Sequence, residues 1–421
     1  MKFAHMSDIH LGFQKQENLQ KIEQAIFETA IDECIKRKVD FILIPGDLFH
    51  VNIPEMRVQK FAFSKFKQVS EHGIPIYVVY GSHDFSPVSN SVIDLLNEIG
   101  YITKVTKTLE SDEKIILDFV KDSKTGVKIT GFPGLKAGKD EIYYQNLDRE
   151  SLEKEPGFKI FLFHGGIKEL KTENEVEMDF MPLSSLPKGF DYYAGGHMHS
   201  YLHQEYKDYA HVIYPGTIFS GYHADLEENA KGRKCGIVFV EFEDKIKKIE
   251  FFPIENVEYE LVEIDADLKR ASTVNSEISE QIKKINPKNK IVIIKVHGEL
   301  SEGKTTDIDF TSIKEKLIQS QVLDIKINRN HLTSKEYTIT KAIGTGKEEI
   351  ELNVFKENIG EVRVDQKEIL GNDGVQVAKK LLREITQPIL INEKIQDYKT
   401  RIEQSAIELL GLRIKDDSDI N

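Results

Sequence analysis

Five short motifs rich in aspartate, histidine and glycine constrain this chain most, because each one follows a short apolar run. In chain order they are Asp8-Ile9-His10, Gly46-Asp47-Leu48-Phe49-His50, Gly81-Ser82-His83-Asp84, His164-Gly165-Gly166 and Gly195-Gly196-His197-Met198-His199. Short apolar runs of this kind are typical of buried strands. In α/β sheets, ligands bind in the loops beyond the carboxyl ends of strands. We therefore expect the five motifs to converge on one site.

The first part of the chain has the pattern of a layered α/β domain. The runs Phe3–Met6, Phe41–Pro45 and Ile76–Tyr80 predict strands, and the segments between them have apolar residues at helical spacing. Apolar runs further along, as far as Gly236–Phe242, have fewer helices between them. The sequence predicts an α/β fold over residues 1–255, a β-sandwich of two sheets flanked by helices.

The pattern changes after this region. A strong strand is predicted at Ile291–Val296 and a helix near Ser312–Ser320, which indicates a small α+β domain over residues 256–345. Residues 346–373 are predicted to be a linker. Two amphipathic helices, Gly374–Gln387 and Glu393–Leu410, are predicted within residues 374–412.

Composition limits the cellular setting and the class of partner. The 421 residues include only two cysteines, with no CxxC motif, which fits a reducing compartment. Because no apolar run reaches 18 residues, we expect no membrane-spanning segment. The net charge of -13, taken alone, argues against nucleic acid, which is bound mainly through Lys and Arg. Two bound divalent cations would, however, add about four positive charges where a phosphate sits.

The residue types in the five motifs are those of a metal centre. Carboxylate oxygens and neutral imidazoles together suit first-row divalent metals, and Asp47 is placed to bridge two ions. Each motif alone has an ordinary explanation, since Gly-Asp is common in turns and a histidine after a strand is usually a core residue. Six of the thirteen histidines nevertheless lie in these motifs, in a consistent order. The set as a whole therefore predicts a metal site.

The order DxH…GDxxH…G(N)HD…H…GHxH resembles the signature of calcineurin-like metallophosphoesterases. The segments "SDIHLGF", "GDLFH", "YPGTIFSGY" and "VHGELSEGKTTDIDF" resemble those of SbcD-type, meiotic-recombination-eleven nucleases, and the archaeal forms most of all. This resemblance implies a manganese-dependent exonuclease and single-strand endonuclease that acts in a DNA double-strand-break repair complex. It also implies that residues 256–345 form a capping domain that binds DNA. The implied location is the prokaryotic cytoplasm, in association with the nucleoid.

The resemblance further implies a role for each motif residue. Two Mn²⁺ ions per chain are implied, although the ligand set alone would also accept iron or zinc. The implied metal ligands, with Asp47 shared by both ions, are Asp8, His10, Asp47 and His199 for one ion, and Asp47, Ser82, His164 and His197 for the other. The implied catalytic residues are His83, which protonates the leaving oxygen, His50, which faces the phosphate, and Asp84, which orients His83.

Ser82 departs from the family pattern, which usually has asparagine at this position. A serine hydroxyl is a shorter and poorer ligand, so we expect the second ion to bind more weakly than the first. Two alternatives to a DNA nuclease stay open. One is a phosphatase or phosphodiesterase for a substrate other than DNA, and the other is a scaffold subunit with weak catalysis. His50 argues against the first, because phosphatases of this superfamily more often carry aspartate there.

Two protein partners are also expected. The helix at Pro54–Ser70 is apolar on two faces, so either its own domain covers both faces or a second subunit does. Together with the resemblance, this pattern predicts a homodimer formed partly by this helix and by the following helix near Ser91–Ile99. The C-terminal helices are implied to dock on the coiled coil of an SMC-like ATPase of the Rad-fifty/SbcC type.

Overall fold

The computed structural model describes residues 1–85, 91–109, 114–134, 140–171, 180–254, 257–335, 371–388, 390, 393 and 395–410. The chain forms two compact units, Met1–Thr333 and Ser334–Asn421. Most of the predicted linker, residues 346–370, lies outside the described residues. Among the helices that are described, none has the length and apolar character needed to cross a membrane.

The strands are numbered in chain order: β1 Lys2–His5, β2 Phe41–Pro45, β3 Ile76–Val79, β4 Thr103–Lys104, β5 Thr108–Leu109, β6 Ile116–Leu117, β7 Val120–Lys121, β8 Lys128–Phe132, β9 Lys159–His164, β10 Gly166–Ile167, β11 Phe180–Met181, β12 Tyr192–Gly196, β13 Leu202–Tyr206, β14 Tyr209–Tyr214, β15 Gly236–Phe242, β16 Ile246–Pro253, β17 Glu258–Asp265, β18 Lys290–Leu300, β19 Asp324–Asn328 and β20 Leu332–Ser334. The helices are α1 Glu17–Arg37, α2 Met56–Glu71, α3 Val92–Glu98, α4 Asp140–Gln145, α5 Arg149–Lys154, α6 His223–Ala230, α7 Ala271–Lys284, α8 Phe310–Gln319, α9 Gly371–Ile385 and α10 Ile395–Leu410. Short 3₁₀ turns lie at Lys168–Leu170, Leu183–Ser185 and Thr305–Asp307.

The first sheet has six strands in the order β16-β15-β1-β2-β3-β4. The four strands from β1 to β4 are parallel, whereas β15 runs antiparallel to β1 and to β16. Every residue of β2 is buried, as expected for a parallel strand covered on both faces. The first strand of the chain therefore lies in the middle of its sheet.

The second sheet also has six strands, in the order β13-β14-β12-β9-β8-β7. Its four central strands are parallel, and antiparallel hairpins close both ends. The two sheets pack face to face through a shared apolar layer. In that layer Phe3 stacks on Phe41 at 5.1 Å and meets the edge of Tyr192 at 5.0 Å between ring centroids. The predicted α/β sandwich is thus confirmed.

Helices cover the outer face of the first sheet. In α2, one apolar face is buried through Val58, Ala62, Phe66 and Val69, spaced four, four and three residues apart, the periodicity of one helix face. Helix α3 begins with a capping box in which Ser91 and Asp94 each bond the other's backbone amide, an arrangement that satisfies two otherwise unpaired donors. These helices flank the strands whose carboxyl ends carry the motifs.

The last part of the first unit has an apolar core of its own. Strands β17, β18 and β19 are parallel, and β20 also pairs with β18. The strand predicted at Ile291–Val296 lies inside β18, and the helix predicted near Ser312–Ser320 overlaps α8. This α+β element corresponds to the predicted capping region, whose boundaries at 256 and 345 stay predictions.

The second unit contains α9 and α10, which overlap the two predicted C-terminal helices. The two helices contact each other, and the Tyr398 hydroxyl donates to the Gln387 carbonyl at 3.0 Å. Arg401 forms an ion pair with Glu393 at 2.7 Å. The Tyr398 hydrogen bond thus joins α10 to the residues that follow α9.

Candidate metal centre

The motif residues lie where parallel strands of both sheets end. The loops after β1 and β2 in the first sheet meet the ends of β9 and β12 in the second. Carboxyl ends of parallel strands in adjacent sheets thus face one region, as predicted for ligand sites in α/β folds. The side chains at these strand ends are Asp8, His10, Asp47, His164, His197 and His199.

Four of these residues have a backbone conformation that is unfavourable for any residue except glycine. The φ angles are 51° at Asp8, 49° at His10, 50° at Asp47 and 96° at His197. Such conformations cost on the order of 1–3 kcal/mol each and persist only where surrounding contacts enforce them. One such contact is the bond from the His10 amide to the Asp47 carbonyl, at 2.9 Å. The strained turns place side chains of different strands close together.

Two glycines allow the loops to touch. A Cβ on Gly81 would overlap the Asp47 carboxylate, and a Cβ on Gly196 would overlap the Pro45 carbonyl oxygen. Only glycine permits such an approach of backbone to a neighbouring chain segment. The glycines of the third and fifth motifs are therefore part of the site's packing.

Asp47 lies at the centre of the cluster and is 2% exposed. Its Oδ1 accepts a hydrogen bond from the His83 amide at 2.8 Å. Its Oδ2 is 3.3 Å from His164 Nε2 and 3.8 Å from His10 Nε2. One oxygen is thus fixed by the backbone, while the other faces imidazoles that come from both sheets.

Asp8 is fully buried beside this group. The Ser7 hydroxyl donates to its Oδ2 at 2.5 Å, and the His197 amide lies 3.0 Å from both carboxylate oxygens. His199 Nε2 is 3.9 Å from Asp8 Oδ1 and 3.4 Å from His10 Nε2. The sets Asp8, His10 and His199, and Asp8, Asp47 and His164, each have ligand atoms within 4.8 Å of one another.

The ring orientation of two histidines suits metal ligation through Nε2. His164 Nδ1 donates to the Pro45 carbonyl at 3.0 Å, which leaves its buried Nε2 beside Asp47, 3.3 Å from Oδ2. His199 Nδ1 lies 2.6 Å from Asp225 Oδ2. A metal-ligating histidine usually donates its other ring N–H to a carbonyl or carboxylate in this way.

The buried carboxylates of the cluster favour a positive charge at its centre. Burial opposes a charge on Asp47, but the imidazoles of His164, His10 and His83 hold its pKa well below the usual range. Burial likewise lowers the pKa of His164, but Asp47 and Asp8 outweigh it and raise that pKa to about 10. A divalent cation supplies the same positive charge with the imidazoles neutral. The residues present therefore fit a bound metal.

His83 and His50 form a second group on the same side of the cluster. Their rings are stacked at 5.0 Å, and the edge of the Phe13 ring meets His50 at 4.4 Å. Burial, followed by the charge of His83 and of Lys15, lowers the pKa of His50 to about 4. The rings of His10, His50 and His83 also bring three nitrogens within 4.8 Å of one another.

The position of Asp84 corrects one expectation. His83 Nδ1 donates to the His50 carbonyl at 2.8 Å, so the backbone, and not Asp84, fixes this ring. The buried Asp84 carboxylate instead accepts the amides of Leu48, Phe49 and Gly81, at 3.0–3.2 Å. The resemblance implied contact between Asp84 and His83, but in this turn the two side chains bond different groups. Asp84 joins the second and third motif loops.

Ser82, the implied ligand of the second ion, lies in the turn between Gly81 and His83. The Gly81 amide donates to Asp84 at 3.1 Å and the His83 amide to Asp47 at 2.8 Å. The turn that carries Ser82 is thus attached to the cluster on both sides of this residue.

Sequence reasoning missed Asp225, which supports His199. Besides His199, the buried Asp225 carboxylate accepts from the Ser220 hydroxyl and from Arg233 Nη1, the latter at 2.8 Å. Burial opposes the effect, but Asp225 raises the pKa of His199 to about 9. The one signal in sequence is the basic run from Lys231 to Lys234. In the structure, Arg233 of this run is bound to Asp225.

Comparison with known proteins agrees with this geometry. Residues 1–201 match the family model of calcineurin-like phosphoesterases. The DNA double-strand break repair protein Mre11 of Sulfolobus acidocaldarius is 26% identical over 344 residues, which are 79% of this chain and 84% of that protein. The Mre11 protein of Methanocaldococcus jannaschii is 27% identical over 77% of this chain and 82% of its own length. The Mre11 protein of Sulfurisphaera tokodaii is 33% identical over 208 residues, which are 47% of this chain and 49% of that protein.

The fold, the strand-end cluster and the family match agree on the class: residues 1–201 are similar to calcineurin-like phosphoesterases, and the protein is a metal-dependent hydrolase. Within that class, the chain is similar to archaeal Mre11 proteins over about four-fifths of its length. The resemblance inferred from the motifs is thereby confirmed.

Replacement of Asp225 by asparagine tests its action through His199. The variant keeps the size of the side chain but removes the negative charge beside His199 Nδ1. Loss of such an outer partner weakens metal binding by about 10–100-fold. We expect calorimetric titration with Mn²⁺ to show this loss, and saturating metal to restore most of the activity.

The control for this variant is Glu228→Gln on the same helix, where Glu228 pairs with the exposed Lys231. It should bind metal as the unaltered protein does. Unchanged metal affinity in Asp225→Asn would show that Asp225 has only a structural role.

Proposed function

We propose that this protein is the nuclease subunit of a DNA double-strand-break repair complex and hydrolyses DNA phosphodiesters with bound divalent metal. The observation that carries the proposal is the buried cluster of carboxylates and imidazoles around Asp47, in a chain similar to proteins named for DNA double-strand break repair. A nuclease of this kind would act in the cytoplasm, where its DNA substrate lies.

Two Mn²⁺ ions are the cofactor we propose, held as the family pattern implies. Asp47 would contact both ions, with Asp8, His10 and His199 on one side and His164, His197 and Ser82 on the other. When bound, such ions neutralise phosphate charge and lower the pKa of a bound water. The ligand chemistry would also accept iron or zinc.

His83 is the proposed proton donor to the leaving oxygen. Its Nδ1 is held by the His50 carbonyl at 2.8 Å, which leaves Nε2 as the nitrogen available to substrate. His83 and His50 are each partly exposed, whereas Asp8 and Asp47 are buried. This difference supports a division in which the buried residues hold metal and the stacked histidines contact the phosphodiester.

A phosphatase for small molecules is the second candidate, because the cluster alone would serve either substrate. Two features favour DNA. His50 lies beside the cluster where phosphatases of the superfamily more often have aspartate. A separate α+β element, β17 to β20 with α7 and α8, also follows the phosphoesterase domain. A scaffold subunit with weak catalysis is the third candidate, because Ser82 is a poorer metal ligand than asparagine. The experiment below distinguishes the three candidates.

The variant His83→Gln gives the most direct test of the proposed nuclease activity. We expect the unaltered protein with Mn²⁺ to degrade linear DNA. The variant should be about 10²–10⁴-fold slower, the usual contribution of a positioned proton donor. Manganese content, measured by mass spectrometry, should stay the same because His83 is not a proposed ligand.

His72→Gln serves as the control, since His72 is an exposed histidine at the end of α2. Its cleavage rate should equal that of the unaltered protein. If the unaltered protein hydrolyses small phosphate esters but leaves DNA intact, the phosphatase candidate replaces the nuclease. Loss of metal in His83→Gln would make His83 a ligand.

A homodimer is proposed on the surface around α2 and α3. Three apolar side chains there are unusually exposed, namely Met56 at 77%, Leu95 at 51% and Ile99 at 52%. Exposed apolar groups that lie together are typical of an interface. Phe63 on the same helix packs partly against the core, so Met56 is the better site for a substitution.

Met56→Glu should therefore convert the dimer to a monomer in light scattering. A glutamate at the first turn of a helix is compatible with the helix dipole, so the fold should be retained. Ile318→Glu on α8 provides the control, because Ile318 is also exposed, at 64%. A dimer that persists in Met56→Glu would move the interface elsewhere.

The helices α9 and α10 are the proposed docking site for an SMC-like ATPase of the Rad-fifty/SbcC type. Their apolar residues are incompletely buried: Leu381, Ile402 and Leu409 are half-buried, and Ile385 is 48% exposed. An amphipathic helix with free apolar positions suits binding in a groove.

Ile385→Glu and Gln376→Glu form a matched pair for this proposal. Both add one negative charge to α9, and the two exposed positions are nine residues apart, on opposite faces of the helix. We expect Ile385→Glu to abolish co-purification with the ATPase and Gln376→Glu to leave it intact. Manganese-dependent cleavage of single strands should survive in both. Equal binding by both variants would exclude the apolar face as the docking element.

A further inference from the structure

A second cluster of metal-ligand side chains lies on the hairpin of β13 and β14. His203, Glu205 and His211 place three ligand atoms within 4.8 Å of one another, and none of them belongs to the catalytic cluster. Strand β13 is the outermost strand of the second sheet, so this group lies at a sheet edge.

The backbone of the hairpin explains why these side chains meet. Residues two apart on a strand share a face, which places His203 and Glu205 together. The pairing register shifts between Gln204 and Tyr206, so that Glu205 lies opposite two residues of β14 instead of one. One of the two is His211, whose φ of 46° is left-handed. Bulges of this kind re-aim a side chain, and here the imidazole is brought onto the face of Glu205.

The distances among the three atoms fit one tetrahedral ion. His203 Nε2 is 3.2 Å from His211 Nδ1, and Glu205 Oε1 is 2.8 Å from His211 Nδ1 and 3.7 Å from His203 Nε2. Two ligands about 2.0–2.1 Å from a zinc ion, at a tetrahedral angle, are roughly 3.3 Å apart. The three measured edges lie around this value.

The ligand types select the cation. Two imidazoles and one carboxylate suit Zn²⁺ and similar first-row ions, whereas Mg²⁺ and Ca²⁺ prefer oxygen ligands throughout. The side chains of His203 and His211 are 29% and 24% exposed and that of Glu205 is 60% exposed. An ion can therefore enter from solvent, and a water can take the fourth position.

We propose that His203, Glu205 and His211 form a Zn²⁺ site on the β13–β14 hairpin, distinct from the catalytic metal centre. The ion would join the two strands across the bulge. Because a ligand that binds only the folded state stabilises it, zinc would raise the melting temperature through this hairpin.

The test compares the zinc content of the full chain with that of variants. Protein is stripped with chelator, loaded with excess Zn²⁺, desalted and measured by mass spectrometry. The double variant His203→Ala/Glu205→Gln should hold one zinc per chain fewer than the unaltered protein. Glu205→Gln alone, which preserves shape, should weaken zinc binding at this site by at least tenfold, since even an outer partner is worth about 10–100-fold.

His297→Ala is the matched control, because His297 lies 3.5 Å from Glu263 on another strand, in a pair that no third His, Cys, Asp or Glu ligand atom joins among the described residues. Its zinc content and its zinc-induced rise in melting temperature should equal those of the unaltered protein. Manganese-dependent hydrolysis should be unchanged in all of these variants. Equal zinc content in the double variant and the unaltered protein would overturn the proposal and leave the cluster as a hydrogen-bonded ion pair.

Discussion

The buried carboxylate of Asp47 is the constraint on which the rest of the site depends. It follows the fully buried strand β2, and a buried charge is tolerated only when surrounding groups compensate it. The His83 amide and the imidazoles of His10 and His164 all converge on this carboxylate. The glycine at position 81 and the left-handed turn at Asp47 are consequences, since any side chain at Gly81 would occupy the space of the carboxylate. The strained turn at Asp47 and the close backbone contact at Gly81 thus both follow from the burial of this one carboxylate.

The sequence was sufficient for the parts of the molecule that local patterns determine. The buried strands Phe41–Pro45 and Lys159–Phe163 were visible as apolar runs, and the motif residues were visible because they follow such runs. Asp225 was not predictable, because its link to His199 depends on how the loop after β14 returns to the cluster. The role of Asp84 was carried over from the family pattern, and only the structure shows that the His50 carbonyl holds the His83 ring. The domain boundaries within the first unit could not be located from the sequence, because several sheets belong to this one compact unit.

The proposal that an acidic chain acts on a polyanion presents an apparent conflict, which the local arrangement resolves. The net charge of -13 is spread over the whole protein, and screening limits its effect to roughly 8–10 Å at ordinary ionic strength. At the cluster, by contrast, carboxylates and imidazoles are concentrated within a few ångströms. The charge that a phosphate meets is therefore set by the groups and ions at the strand ends and not by overall composition.

The central position of β1 has a consequence for how the chain is made. Strand β1 pairs on one side with β2 but on the other with β15, some 230 residues later, in the register Lys2 to Glu241. The loop with Asp8 and His10 therefore lacks a complete sheet beneath it until β15 has been synthesised. His199 and its support Asp225 also arrive late. A nascent chain that ends before β15 would thus lack a working centre.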